Sequence, residues 1–507
     1  MSTTFAEPTT GTDADQLDHV QCYEAITRRD GRFDGRFYTA VTSTGIFCRP
    51  SCPARTPKRA NVRFYRHAAV ASEAGFRPCR RCRPELAPGH PEWNRRADLV
   101  GRALRAIDDG VVDQIGVSGL ADRLGVSERH LRRELQREVG TGPLQLARTR
   151  RLWLARLLLD QTTLSITDIA FAAGFGSVRQ FNDSIRQAFD APPSELRRRH
   201  RGPSQPGTVT LRLPCRGPLR WDALHRFLAA RAIPGLEEAT DTTFRRSIGE
   251  GWVEFGPAPE SGRLADGGPN NGALDVTCSL PDLRLLAEIL PVLRRVADLD
   301  TDLAPIEQHL RGDPTLATRL DRVPLGRLPG PFDPFEVAVR AVVGQQVSVA
   351  AARTLLGRLL AIVHDHHGGA EMGVTGFPTP DAVAATPLDE LGMPARRRAT
   401  ITAVAEAVAD GTVDLGVHAE PTATAAALLD LPGIGPWTAG YVTMRALGDP
   451  DGWPDDDLVL VQSFGGTKRE LAERAERWRP WRAYAALVLW SHPSPPSTTD
   501  QPQGDQQ

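Results

Sequence analysis

The chain lacks what a membrane protein, a secreted disulfide protein or a polyelectrolyte would need. No run of about 18 apolar residues occurs in its 507 positions, so no transmembrane span is expected. The opening stretch, MSTTFAEPTTGTDAD, has neither a basic start nor an apolar core and does not read as a secretory signal. Only seven cysteines are present, four of them in ligand spacing, which fits a reducing cytoplasm better than a disulfide framework. The net charge is nearly nil, at −1, so bulk electrostatics name no partner. Hydrophobic residues at 41% indicate a globular protein, and the length exceeds one core, asking for roughly three to five domains.

What is present is a local concentration of chemistry. Cys48, Cys52, Cys79 and Cys82 form C-x3-C and C-x2-C pairs separated by 26 residues, the spacing of a tetrahedral Zn2+ site. From Cys48 to Arg83 there are ten Lys or Arg and one acid, Glu73. Spacing alone leaves two readings open: a structural metal site, or thiolates working against a polyanion. Arg49, Arg55, Lys58 and Arg59 are candidate phosphate contacts, or simply a solvated basic face.

Composition divides the rest. Residues 1–17 and 494–507 are small, polar and low in complexity and are expected to be disordered. The Cys/Arg segment occupies 18–91. A helical region over 92–203 ends in RRRHRGPSQPG, which reads as a linker. Residues 208–322 mix strand patterns (TVTLRLP, WVEFG, ALDVTCSL) with amphipathic helices. From 323 to 493 the pattern is almost wholly helical, with Pro and Gly at helix ends.

Two helix-turn-helix patterns stand in the 92–203 region. In VSGLADRLGVSERHLRRELQRE, Gly125 marks the turn, Ser127 is a helix N-cap, and His130, Arg132 and Arg133 lie on the second helix. In SITDIAFAAGFGSVRQFNDSIRQAF, Gly174 and Gly176 mark the turn and Ser177, Arg179 and Gln180 begin the helix that would meet base edges. Phe175, Phe181 and Phe189 are expected in the core. Farther on, LPGIG in LLDLPGIGPWTAGYVTMRALGD is a hairpin between helices. Its Gly433 and Gly435 let backbone N–H groups approach a phosphate. Asp457 follows Trp437 by twenty residues, in PDDDLVL. The acids 455–457 form either a catalytic centre or a helix N-cap, and the aromatics Trp437, Tyr441 and Trp490 line either a cleft or a core.

These motifs carry resemblances. STGIFCRPSC and AGFRPCRRC resemble the signatures of the Ada-type methyl-accepting domain family, which implies that Cys48 accepts a methyl group from a DNA methylphosphotriester while Cys52, Cys79 and Cys82 hold zinc. The helical pair is similar to the AraC-type DNA-binding family, with Ala170, Gly174, Phe175 and Phe181 in its pattern and Ile185 in place of the usual Phe. The hairpin and Asp457 resemble the helix-hairpin-helix glycosylase superfamily. FLAARA, FDPFEVAVRAVVGQQVSVAAARTL, LGMPARRRATI and ERWRPWRAYAALVLW narrow this to the AlkA family.

Together the resemblances imply an Ada–AlkA fusion. The fold would be multidomain and mainly α: a small zinc-bound α/β domain, a double helix-turn-helix, an α+β unit and an all-α helix-hairpin-helix glycosylase domain. They further imply Asp457 as catalytic, Trp437, Tyr441 and Trp490 as the aromatic cleft, and Gln345 and Gln346 at the gap left by a flipped base. Trp437 stands where lyase members place a Lys, implying a monofunctional glycosylase. Two departures stand out. Val461 and Gln462 occupy the positions where the family often has a basic residue, and Cys215, in a Pro–Cys–Arg triplet without the His of alkylguanine methyltransferases, is expected to be a packing residue. The implied partners are alkylated and promoter double-stranded DNA and RNA polymerase, with no membrane, for a monomer in the bacterial cytoplasm acting on the nucleoid. The rival expectation is a transcription regulator whose glycosylase half only docks on DNA.

Overall fold

The computed structural model describes residues 17–84, 98–197, 207–259, 272–368 and 372–491. The termini 1–16 and 492–507 and most of the expected linker (198–206) lie outside the described residues.

The first unit is a four-stranded sheet with flanking helices. Helix α1 (His19–Arg28) precedes β1 (Tyr38–Val41), β2 (Ile46–Cys48) and β3 (Val62–Tyr65); α2 (Ala68–Glu73) and β4 (Arg77–Pro78) follow. The strand order is β3-β1-β2-β4, with β2 and β4 parallel. That pairing brings the two cysteine pairs together: Cys48 ends β2, and the Cys79 N–H donates to the Phe47 carbonyl at 2.9 Å.

Among the described residues seven helices follow: α3 (Leu99–Asp108), α4 (Val111–Arg123), α5 (Glu128–Glu138), α6 (Pro143–Gln161), α7 (Ile166–Ala172), α8 (Val178–Phe189) and the short α9 (Pro193–Leu196). Helix α8 shows why the sequence folds this way. Phe181, Ile185 and Phe189 recur every four residues, so all three fall on one buried face. Phe175 meets Phe181 edge-on at 5.3 Å. The expectation of core phenylalanines holds, and Ile185 fills the place of the usual Phe without exposure.

The α+β unit is a five-stranded antiparallel sheet ordered β5-β9-β8-β7-β6, built from β5 (Val209–Pro214), β6 (Glu237–Ala239), β7 (Phe244–Ile248), β8 (Gly251–Pro257) and β9 (Ala273–Ser279). Strand β5 alternates buried Val209, Leu211 and Leu213 with exposed Thr210 and Arg212. Helices α10 (Trp221–Arg231) and α11 (Leu286–Val296) accompany the sheet. Cys215 follows β5, fully buried, and burial pushes its thiol up to about 11, in keeping with a packing residue.

The expected boundary near residue 205 does not separate two cores. Leu158, Leu159, Ile169, Phe181 and Ile185 of the helical unit belong to one continuous apolar cluster with Leu211, Leu213, Phe255 and Leu290 of the α+β unit. Gln161 also exchanges two hydrogen bonds with the Arg212 backbone, at 2.6 and 3.2 Å.

The remaining helices are α12 (Leu303–Leu310), α13 (Pro314–Leu320), α14 (Pro334–Val343), α15 (Val349–His367), α16 (Pro380–Ala385), α17 (Ala395–Ala409), α18 (Pro421–Leu429), α19 (Pro436–Ala446), α20 (Leu458–Phe464), α21 (Lys468–Ala475) and α22 (Arg482–Trp490). Helix α14 is bolted to the sheet by buried charges. Arg246 of β7 pairs with Glu237 at 2.6 Å and Glu336 at 2.5 Å, and Arg340 pairs with the same two acids at 2.7 and 2.6 Å. No helix among the described residues is long and apolar enough to cross a membrane.

Candidate functional site: a thiol cluster, two helix-turn-helix units and an aromatic cluster

The sulfur atoms of Cys48, Cys52, Cys79 and Cys82 all lie within 4.8 Å of one another. Four sulfurs on a tetrahedral zinc stand about 3.8 Å apart, given Zn–S bonds of about 2.3 Å, so the donor set and its spacing fit Zn2+. Hydrogen bonds shared among the four push the Cys48 and Cys82 thiols above their ordinary range and hold those of Cys52 and Cys79 below it. Four thiolates this close coexist only around a cation.

Asp34 braces the first ligand loop, a residue that the sequence pattern did not single out. Its buried carboxylate accepts from Ser51 N at 2.9 Å and Ser51 Oγ at 2.6 Å, and pairs with Arg49 at 3.4 Å. Arg49 is thereby turned inward. Arg55, Lys58 and Arg59 are exposed, with Arg59 lying 5.9 Å from the Tyr23 ring centre.

In the helical unit, Gly125 and Gly174 take positive φ at the two turns, at 70° and 83°. Ser127 and Ser177 are spent on capping: each accepts at 3.2 Å from the N–H three residues on, His130 and Gln180 respectively. Gln180 also accepts from Gly176 N at 3.1 Å. On α5, Arg132 pairs with Glu128 and Arg133 meets His130 Nδ1 at 2.7 Å. Arg132, Arg133 and Arg179 are exposed.

The hairpin joins α18 to α19. Gly433 has φ 88°, and a Cβ there would meet Thr400 Oγ1 at 2.2 Å, so no other residue fits. Gly435 is the N-cap of α19. Trp437 stacks on Tyr441 at 5.3 Å and 15°, and Tyr441 faces Trp490 at 6.4 Å. Asp457, 9% exposed, caps α20 and accepts three N–H groups: Leu460 N at 2.8 Å and Trp490 Nε1 at 3.3 Å on Oδ1, and Trp437 Nε1 at 2.8 Å on Oδ2. Capping and a place against the aromatics thus fall on the same carboxylate. Asp456 instead faces outward at φ 64° and pairs with Lys468 at 3.3 Å. Lys468 brings an ammonium beside this loop although Val461 and Gln462 carry no charge.

Gln345 and Gln346 part company. Gln345 Nε2 donates to the Gly433 carbonyl at 3.1 Å and to Thr438 Oγ1 at 3.0 Å, tying α14 to the hairpin. Gln346 is exposed at φ 58°. Two further residues pack around these aromatics. Buried Arg445 donates to Tyr441 OH at 3.1 Å and lies 4.5 Å from the Phe227 ring centre, and burial holds its pKa below the usual range. Gly440, inside α19, lets the Trp453 carbonyl approach to where a Cβ would stand, 1.9 Å away. A glycine within a helical pattern was the available signal for it.

Comparison with known proteins finds three families in chain order: the metal binding domain of Ada over residues 21–85, a helix-turn-helix domain over 120–199 and the AlkA N-terminal domain over 210–333. The chain is 44% identical over 492 residues to the probable bifunctional transcriptional activator/DNA repair enzyme AlkA of Mycobacterium tuberculosis, covering 94% of this chain and 96% of that one. It is 32% identical to DNA-3-methyladenine glycosylase 2 of Escherichia coli, over 54% of this chain and 94% of that one. It is 36% identical to the bifunctional transcriptional activator/DNA repair enzyme Ada of Escherichia coli, over 32% of this chain and 46% of that one.

Proposed function

Since the chain belongs to the family of bifunctional Ada/AlkA transcriptional activators and DNA repair enzymes, we propose that it senses DNA methylphosphotriesters through Cys48, activates transcription, and excises alkylated bases through Asp457. The observation that carries the second half of this reading is the Asp457 carboxylate held between the indole N–H groups of Trp437 and Trp490, with Tyr441 stacked on Trp437.

At the first site, Cys48, Cys52, Cys79 and Cys82 would hold zinc, which keeps sulfur ionised at neutral pH. The Cys48 sulfur attacks the methyl carbon of a phosphotriester. An S–C bond forms, the C–O bond breaks, and its electron pair leaves on the phosphate as a diester anion. The cluster loses one negative charge, so affinity for the DNA backbone rises. Arg55, Lys58 and Arg59 supply the backbone contacts, and the first turns of α5 and α8 read a promoter, with RNA polymerase as the partner of the bound monomer.

At the second site the hairpin, with Gly433 and Gly435, grips a phosphate while the damaged nucleotide leaves the stack. Gln346 fills the gap. Trp437, Tyr441 and Trp490 receive a base of the 3-methyladenine or 7-methylguanine type, whose positive charge favours aromatic faces. Asp457, fixed by its three donors, stabilises the cationic sugar as the N-glycosidic bond breaks with its electron pair leaving on the base, and water then adds to C1′ and gives up a proton. Trp437 offers no amine for a Schiff base, so the product is an abasic site.

The test is base release from methylated duplex DNA. Asp457→Asn should lower the single-turnover rate at least about 10²-fold, and Asp456→Asn should not. Equal rates for wild type and Asp457→Asn would leave the glycosylase half a docking module. Mass spectrometry after exposure to the same DNA should find one methyl group, on Cys48.

A further inference from the structure

The second ligand pair is embedded in arginines, and their directions are specific. Arg80, between Cys79 and Cys82, donates from Nη2 to the Phe189 carbonyl at 3.0 Å and the Asp190 carbonyl at 3.1 Å. Arg77, two residues before Cys79, pairs with the Asp190 carboxylate. Arg83, immediately after Cys82, pairs with Asp160, which is buried on α6 and held there by Arg156 at 3.3 Å. Arg81, between the same two ligands, is exposed and takes no part in this contact.

The partners share one feature: they form the C-terminal end of α8 and the helix on which the second helix-turn-helix is built. The last carbonyls of a helix have no partner within it, and a cation there is stabilising. Asp190 turns the chain at φ 54°, which leaves the Phe189 and Asp190 carbonyls outside the helical ladder.

We propose that the Cys79–Cys82 knuckle caps the second recognition helix from outside: Arg80, with Arg77 and Arg83 on either side, orders the last turn of α8 and fixes its offset from the methyl-accepting loop. Order in the DNA-reading helix then depends on the metal-holding pair. Because the latch hangs on Cys79 and Cys82, methylation of Cys48 leaves it closed, and both DNA-facing elements stay on one frame. This rests on the reading that the four thiols hold zinc.

The experiment is hydrogen exchange with mass spectrometry on the full chain, following peptides that cover 184–191, with zinc stoichiometry measured on each sample before and after EDTA. In wild type, removing zinc should speed exchange in the last turn of α8 about tenfold. Arg80→Ala should exchange that fast with zinc still bound, respond little to EDTA, and still accept a methyl group on Cys48. Arg80→Lys, which keeps the charge and loses the fork, should fall between. Arg81→Ala should match wild type. Wild-type exchange in zinc-loaded Arg80→Ala, or an undiminished response of that variant to EDTA, overturns the proposal. Wild-type protein without zinc overturns the metal reading instead, and the Arg80→Ala comparison in that protein still decides whether the knuckle caps α8.

Discussion

Gly440→Ala sets local propensity against tertiary packing. Within a helix, alanine is favoured over glycine by about 1 kcal/mol, so the substitution should stabilise α19 if nothing else mattered. A Cβ at 440 would meet the Trp453 carbonyl oxygen at 1.9 Å, its carbon at 2.8 Å and Pro454 Cα at 3.2 Å. The 453–454 backbone must therefore retreat by about 1.5 Å to reach ordinary contact. Trp453 is buried against Trp478, 5.8 Å between ring centres, so the displacement passes along the chain toward Asp457.

Overpacking costs about 1–3 kcal/mol. Set against the propensity gain, the net loss is at most about 2 kcal/mol, a fall in Tm of several degrees for a body of this size. Activity should suffer far more, because a misplacement of about 1 Å at a reacting group costs on the order of 10²-fold. The assay is single-turnover release of 3-methyladenine from alkylated duplex, with Cys48 methylation scored by mass spectrometry in the same preparation. A folded Gly440→Ala protein within threefold of the wild-type rate would refute the reasoning. So would equal losses at both sites, which would mean general unfolding.

Three further outcomes are expected. Gln345→Ala removes the bonds to Gly433 and Thr438, and at about 0.5–1.5 kcal/mol each it should raise KM for methylated duplex about tenfold with kcat little changed, read from steady-state kinetics. Arg246→Ala leaves buried Glu237 and Glu336 with Arg340 as their one remaining shared cation, two carboxylates against one guanidinium, and should cost about 3 kcal/mol in denaturant unfolding; an unchanged midpoint would refute a stabilising role for the network. The Asp108 side chain is open to a cavity of about 360 Å³ between the units, beside Arg150, Arg294, Asp109 and Asp300, and the poor solvation in that enclosure, not core burial, raises its pKa to about 7. The folded protein thus holds this proton more tightly than the unfolded chain, and stability is lost as pH rises from about 4 to about 7. Asp108→Asn should match wild type near pH 4 and melt higher at pH 8; a Tm difference independent of pH would refute this.

Where function imposes spacing, the sequence was legible. Four thiols must reach one point, so their intervals survive as a pattern, and the structure gathers them within 4.8 Å. The turn glycines 125, 174 and 433 announce positive φ. The interval from Trp437 to Asp457 was also informative, because helix α19 and one loop set it. What stayed hidden depends on side-chain direction. Nothing local distinguishes Arg49, turned inward to Asp34, from exposed Arg55. Gln345 and Gln346 are identical neighbours, yet one ties down the hairpin and the other projects at φ 58°. The Arg246–Glu336 pair joins residues 90 positions apart. The linker composition near residue 203 lies outside the described residues, and the units on either side of it share one apolar cluster, which composition does not announce.

The apolar cluster running from Phe181 and Ile185 into Leu211 and Phe255 bears on how such a chain can change over generations. A regulator and a repair enzyme joined by a tether remain exchangeable parts, and recombination can swap either for a homologue. Here each has become part of the other's interior. A gene fragment encoding one alone would present the face around Leu158 and Ile169, or the face around Leu211 and Leu213, to water. It would first need polar substitutions there to stay monodisperse. The fusion therefore works as a ratchet: easy to enter by joining two genes, and hard to leave once the shared interior has been selected for fit.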